Sequence, residues 1–160
     1  MTIIRVHYAS RELAESLDGN PYMAVISITD PGTPEARLDP LFRHVLRLSF
    51  FDAIPADPFT PALPGLFDRR LALRIDRFVG ELHAAPFEIS VMVHCEYGVS
   101  RSAAVALFVE AFSGAPLEAR EFAHAANPWL IDQLAALHPE LQIDIPSPHG
   151  ARDRRAARRA

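Results

Sequence analysis

The chain has 160 residues, a net charge of −4, 49% hydrophobic and 22% charged residues, the proportions of an ordinary globular domain. It holds no run near the ~20 apolar residues that cross a bilayer, and its single cysteine excludes an internal disulfide. A spanning membrane protein and a disulfide-stapled secreted domain are therefore set aside. All sixteen basic residues are arginine. Five of them, with one aspartate, fall in the last ten positions, a local charge of +4 that leaves −8 for the rest. An acidic body argues against nucleic-acid binding. Met1 to Val6 shows no charged leader followed by an apolar run and a cleavage site, so the expectation is a cytoplasmic chain without a signal peptide.

In chain order, Thr2–Tyr8 has the β-branched content of a strand. Ser10 is placed to cap a short helix through Leu17, which Gly19-Asn20-Pro21 breaks. Met23–Ile28 is an apolar run of the buried-strand kind, Asp30-Pro31-Gly32-Thr33-Pro34 is turn chemistry, and His44–Phe50 reads as a third strand. A proline-studded loop follows from Asp52 to Gly65. From Asp68 the period becomes helical, with Leu71, Ile75, Phe78, Val79 and Leu82 on one face. Ile89–Val93 is a fourth strand that runs into His94-Cys95, and Arg101–Phe112 is an apolar helix stopped by Gly114. Leu117–Ala126 and Pro128–Leu137 read as two more helices.

This order predicts an α/β fold of three layers, with a mainly parallel central sheet of about four to five strands flanked by helices. One domain is expected over residues 1–146, with an Arg-rich, disordered tail over 147–160. Ligands of such sheets bind beyond the carboxyl ends of the strands, where Cys95 falls.

The chemistry concentrates in His94-Cys95-Glu96-Tyr97-Gly98-Val99-Ser100-Arg101-Ser102. A short loop that winds into a helix N-terminus points successive backbone N–H groups inward and, with the helix dipole, makes an anion site of phosphate size. Gly98 permits the tight path, and the Arg101 guanidinium adds a planar fork for two phosphate oxygens. The loop from Glu96 to Arg101 is thus the expected substrate cradle. Helix N-termini and nearby cations also favour the thiolate, the nucleophilic form of cysteine. Ser102 is placed to hydrogen-bond the sulfur, and His94 to brace the loop backbone. With sixteen arginines in 160 residues, an arginine six places after the cysteine has a chance of about one in ten, so that spacing alone is weak. The glycine, the flanking serines, the incoming strand and the outgoing helix strengthen it.

The stretch Val93–Ala104 resembles the active-site loop of the protein tyrosine phosphatase superfamily, Cys-x5-Arg followed by Ser or Thr. Gly98-Val99-Ser100-Arg101-Ser102 is most similar to the dual-specificity branch and to small bacterial tyrosine-phosphatase-like proteins. The resemblance is strong over about a dozen positions and extends more weakly, through element order, over about residues 2–140. It implies a phosphomonoester hydrolase acting on phosphotyrosine, and on phosphoserine or phosphothreonine if specificity is dual. Cys95 would attack phosphorus, Arg101 would hold the phosphoryl group, and an aspartate from an upstream loop would protonate the leaving alcohol. Asp52 is the first choice for that acid and Asp57 the second. The substrate would be a phosphorylated protein or another phosphomonoester, with no metal or other cofactor. Ala126-Asn127-Pro128-Trp129 resembles the stretch that packs behind the loop in dual-specificity members, which gives Asn127 a supporting role. Glu96, Tyr97 and Val99 are not basic, unlike loop residues of members acting on inositol phosphates, and this points away from polyanions.

Plainer readings compete. For Cys95 the plain reading is a buried thiol, which the surrounding loop opposes; His94 is read as structural; Asp52 and Asp57 also fit turn residues, and Asn127 a helix cap. Tyr97 and Trp129 are read as packing residues, and the histidines lack metal-ligand spacing. Two other functions share the loop: a phosphate-binding module without turnover, and another thiol enzyme such as a sulfurtransferase or arsenate reductase.

Overall fold

Four short runs of apolar and β-branched residues pair into one sheet, ordered β1-β4-β2-β3, in the computed structural model of the protein, which describes residues 2–56 and 64–148. The strands are β1 (Ile3–Ser10), β2 (Met23–Thr29), β3 (Val45–Ser49) and β4 (Ile89–Cys95), and all three pairings are parallel. The helices are α1 (Arg11–Ser16), α2 (Arg69–Ala84), α3 (Arg101–Ser113) and α4 (Pro128–Ala135). The last strand in sequence sits between the first and second, so β4 is covered on both edges and its residues are buried almost throughout.

Side-chain alternation sorts the strands into two faces. Ala24, Ile26 and Ile28 of β2 and Val91, Val93 and Cys95 of β4 point into the larger core, under α2, α3 and α4. Val25 and Met92 point the other way, into a smaller cluster closed by Ala14 of α1 and by Leu38 and Phe42 of the β2–β3 connection. The fold is thus α/β with a sheet between two layers, one of them built of one short helix and an irregular crossover. Four strands are seen where four to five were expected.

Burial explains the helices. α2 buries Leu71, Ala72, Ile75, Val79 and Leu82, one stripe of an amphipathic helix. Asp68 caps it, its carboxylate accepting from the Leu71 amide at 2.9 Å. α3 differs: Ala103 through Val109 are all buried, because β1, β4, α4 and the coil at Arg120–Ala125 surround it. Each large apolar side chain buried there contributes about 1.5–3 kcal/mol. Its carboxyl end stops at Gly114, which is left-handed with φ +74°.

Two expectations are corrected. Leu117–Ala126 is not one helix: Leu117 bridges Val6, Ala119 takes a left-handed φ of +55°, and only Arg120–Ala125 coils, as a 3-10 helix. A helix cannot pass through that pairing, so tertiary contact overrides local propensity. The final helix ends at Ala135, two residues short of Leu137. Asp57, half of the Asp52–Gly65 loop and nearly all of the arginine tail lie outside the described residues.

The segment after α4 is fastened by His138, whose Nε2 lies 2.6 Å from Asp76 of α2 and Nδ1 3.2 Å from Glu140. The bond to Asp76 leads the effects that raise its pKa above 6.5. Folding therefore favours the protonated ring. That stabilisation is full below pH ~6.5 and is lost as pH rises through the raised value. His138→Ala should lower the melting temperature most under acid conditions, with the gap to wild type narrowing as pH rises. A gap constant from pH 5.5 to 9 would contradict this.

Candidate active site

The carboxyl end of β4 delivers Cys95 to the bottom of a tight loop, and the loop winds directly into α3. Cys95 is only 3% exposed, and its Sγ lies 3.1 Å from Ser102 Oγ, one residue inside the helix. A thiol donates to that hydroxyl. A thiolate would receive from it instead. Among the described residues, none of the backbone N–H groups from Glu96 to Ser100 donates a hydrogen bond within the chain. Unpaired amides at a loop and helix N-terminus are the donors an anion requires.

Gly98 makes this path possible. Its φ is +71°, and a Cβ there would lie 2.5 Å from the backbone of Ala9 and of Ser10. Both the torsion and the clash with rigid backbone penalise a side chain. Gly98→Ala should destabilise the fold by about 2–4 kcal/mol, or roughly 5–15 °C in melting temperature. An unchanged melting temperature would show that the loop has room.

His94 points to the opposite face of the sheet and is fully buried. Its Nδ1 faces the Cys95 carbonyl at 3.3 Å and its Nε2 the Ser27 hydroxyl at 2.6 Å. A carbonyl can only accept, so Nδ1 carries the proton, and in the neutral ring Nε2 accepts from Ser27. Burial, the leading cause, lowers its pKa below 6.5. Its contribution to stability is therefore present above pH ~6.5 and lost as pH falls through the lowered value. The ring ties the end of β4 to β2.

Arg101 is buried at 4% exposure in the first turn of α3. Its Nη1 donates to Asp30 Oδ1 and to the Phe50 carbonyl, each at 2.7 Å. Both partners lie just beyond strand ends, Asp30 after β2 and Phe50 after β3. Among the described residues, Nε and Nη2 make no hydrogen bond, which leaves that side of the fork for an anion. Asp30 was read from sequence only as a turn residue. Its carboxylate, 71 positions before Arg101, aims the guanidinium, and only the sheet brings the two together.

Asp52 Oδ1 accepts from the Ser100 hydroxyl at 2.9 Å and from Asn127 Nδ2 at 2.8 Å. Asn127 does more than cap a helix. Its Oδ1 accepts from the Trp129 and Leu130 amides of α4, its Nδ2 also reaches the Ala53 carbonyl, and its backbone N–H donates to the Ser100 carbonyl. One buried residue, through side chain and backbone, therefore joins α4, the Asp52 loop and the Cys95 loop. Trp129 packs partly buried, donating from its ring to the Phe67 carbonyl at 2.8 Å.

The rim is mixed. Tyr97 is 82% exposed, and Val99, Phe51 and Ile54 also show apolar surface. The Asp52–Ser100 bond sets Phe51 and Ile54 on the chain segment that meets Val99. Glu96 turns aside toward Arg11, at 3.8 Å. Among the described residues, no three His, Cys, Asp or Glu side chains gather to hold a metal ion, and no helix is long and apolar enough to cross a membrane.

The fold and loop together define a class: an α/β chain with a Cys-x5-Arg loop at the carboxyl edge of a parallel sheet. No protein-family model and no curated protein matches the chain. Among solved structures it is similar to human DUSP28, at 18% identity and a TM-score of 0.41, covering 94% of this chain and 88% of that one.

Proposed function

We propose that the protein hydrolyses phosphomonoesters through a cysteinyl-phosphate intermediate, with aryl phosphates such as phosphotyrosine as the favoured class. The observation that carries this reading is the Cys95 loop: a nucleophile with Ser102 at 3.1 Å, beneath unpaired amides and beside a buried arginine. In the first step Cys95 Sγ bonds to phosphorus as the ester oxygen leaves, taking a proton from Asp52. In the second, water attacks phosphorus, Asp52 recovers a proton, and the sulfur leaves as a thiolate that accepts from Ser102. Arg101 and the amides of Glu96 to Ser100 hold the phosphoryl oxygens throughout. His94 and Asn127 position the loop and do not touch substrate.

The exposed apolar surface of Tyr97, Val99, Phe51 and Ile54 supports an aromatic leaving group, and the absence of basic side chains between Cys95 and Arg101 disfavours a densely charged one. The Asp52 bond to Ser100 supports Asp52 as the acid.

The test is turnover of a simple aryl phosphate without added metal, blocked by vanadate. Asp52→Asn should slow hydrolysis by about 10²–10⁴-fold when the leaving alcohol is poor, and much less when it is a good leaving group that departs without a proton. An equal loss for both removes Asp52 from the role. No turnover by wild type, with phosphopeptide still bound by Cys95→Ser, would make the protein a binding module.

A further inference from the structure

The corner where β1 turns into α1 packs directly against the Cys95 loop. Ser10 pairs in register with Cys95 and caps α1 through the Leu13 amide at 3.1 Å, and Gly98 rests on the backbone of Ala9 and Ser10. Arg11 follows. Its backbone N–H donates to the Glu96 carbonyl at 3.2 Å. Its guanidinium meets three segments: Nη1 lies 3.8 Å from Glu96 of the loop, Nε lies 3.6 Å from Glu15 of α1, and Nη2 donates to the Glu35 carbonyl of the β2–β3 connection at 3.0 Å. Glu15 is itself fixed, accepting from the Arg37 amide at 2.7 Å. The arginine side chain is only 17% exposed.

The helix does not account for this arginine. A cation in the first turn opposes the helix dipole, and arginine before glutamate at i,i+4 is the weaker order of that pair. What it does face is Glu96, the residue directly after the proposed nucleophile. Glu12, Glu15 and Glu96 line the groove between α1 and the loop, and among the described residues that line it Arg11 is the one cation. A loop with unpaired amides thus carries an acid next to Cys95. An unheld carboxylate there would compete for those amides and repel an incoming anion. At a separation of about 7 Å and near-surface screening, one unit charge changes an anion's affinity by roughly tenfold.

We infer that Arg11 is a positioning residue, which holds the Glu96 carboxylate against α1 and off the anion site, so that the loop admits a phosphoryl group despite its own acidic residue. This rests on the phosphatase reading above. Arg11 does not touch substrate and acts through Glu96.

The test is a double-mutant cycle read with a simple aryl phosphate. Arg11→Gln lowers kcat/KM about tenfold, mostly through KM, because repulsion acts on bound substrate and transition state alike. In a Glu96→Gln background, with no carboxylate to release, the same substitution costs less than about threefold. An equal loss in both backgrounds, or a loss confined to kcat, is what a merely distorted loop would give, and either overturns the inference. Should Arg11→Gln not fold, Glu96→Asp decides, since it keeps the charge and shortens a reach that is already 3.8 Å. Its kcat/KM falls severalfold below that of Glu96→Gln, and a value equal to or above it overturns the inference. If wild type hydrolyses no aryl phosphate, the phosphatase reading fails, and binding of a phosphotyrosine peptide to Cys95→Ser is measured across the same variants. A weakening of about tenfold by Arg11→Gln that Glu96→Gln reverses supports the role of Arg11. Equal affinities, or no binding by any form, overturn it.

Discussion

Cys95→Ser should abolish aryl phosphate turnover, by about 10⁴-fold or more, while leaving phosphopeptide binding within a few-fold of wild type. The two halves of this result have different causes. In the proposed reaction the amides of Glu96 to Ser100 and Arg101 hold the anion, and the substitution touches none of them. The reaction needs a nucleophile that also leaves readily, and a serine hydroxyl does neither at this position. Among the described residues no histidine stands ready to activate it: His94 points to the far face of the sheet and is occupied by Ser27 and the Cys95 carbonyl. Serine is also the smaller change for a fold in which this side chain is 3% exposed. Loss of binding along with turnover would mean that the cradle depends on the sulfur itself. Retained turnover would remove Cys95 from the chemistry.

Arg101→Lys should lower kcat by on the order of 10²–10³-fold, the loss typical of one transition-state donor, with a smaller rise in KM. Charge is conserved, so the effect isolates the fork. The guanidinium bridges Asp30 and Phe50 through Nη1, and under the proposed function Nε and Nη2 take the phosphoryl oxygens. A lysine ammonium is a single point that can satisfy Asp30 or the substrate, not both in one fixed plane. The buried position makes the geometry strict, since the side chain is packed as well as bonded. Equal loss in kcat and in affinity for product phosphate would instead assign Arg101 to uniform binding. A near-normal kcat would show that charge alone suffices.

Much of this molecule is legible in one dimension because its periodicities are strong. The apolar runs of β2 and β4, the amphipathic stripe of α2 and the Gly114 stop of α3 each follow from local sequence. Strand order does not, because placing β4 between β1 and β2 is a matter of pairing between distant segments. The same cause explains the failed helix at Leu117, whose bridge to Val6 lies 111 positions away in sequence. The site divides likewise. His94, Cys95, Arg101 and Ser102 lie within nine consecutive residues and announce themselves together. Asp52 and Asn127 were chosen by position and resemblance, and the structure brings both to Ser100. Asp30 gave no signal beyond its turn, because its partner arginine is reached only through the sheet edge.

The most direct test of the central claim is to catch the intermediate. Wild-type protein is mixed with an excess of aryl phosphate, quenched within one turnover and examined by intact and peptide mass spectrometry. The account predicts one added phosphoryl group, on the peptide containing Cys95, absent from Cys95→Ser and longer-lived in Asp52→Asn. Turnover without a phosphoryl group on Cys95, or with one on another residue, would contradict it.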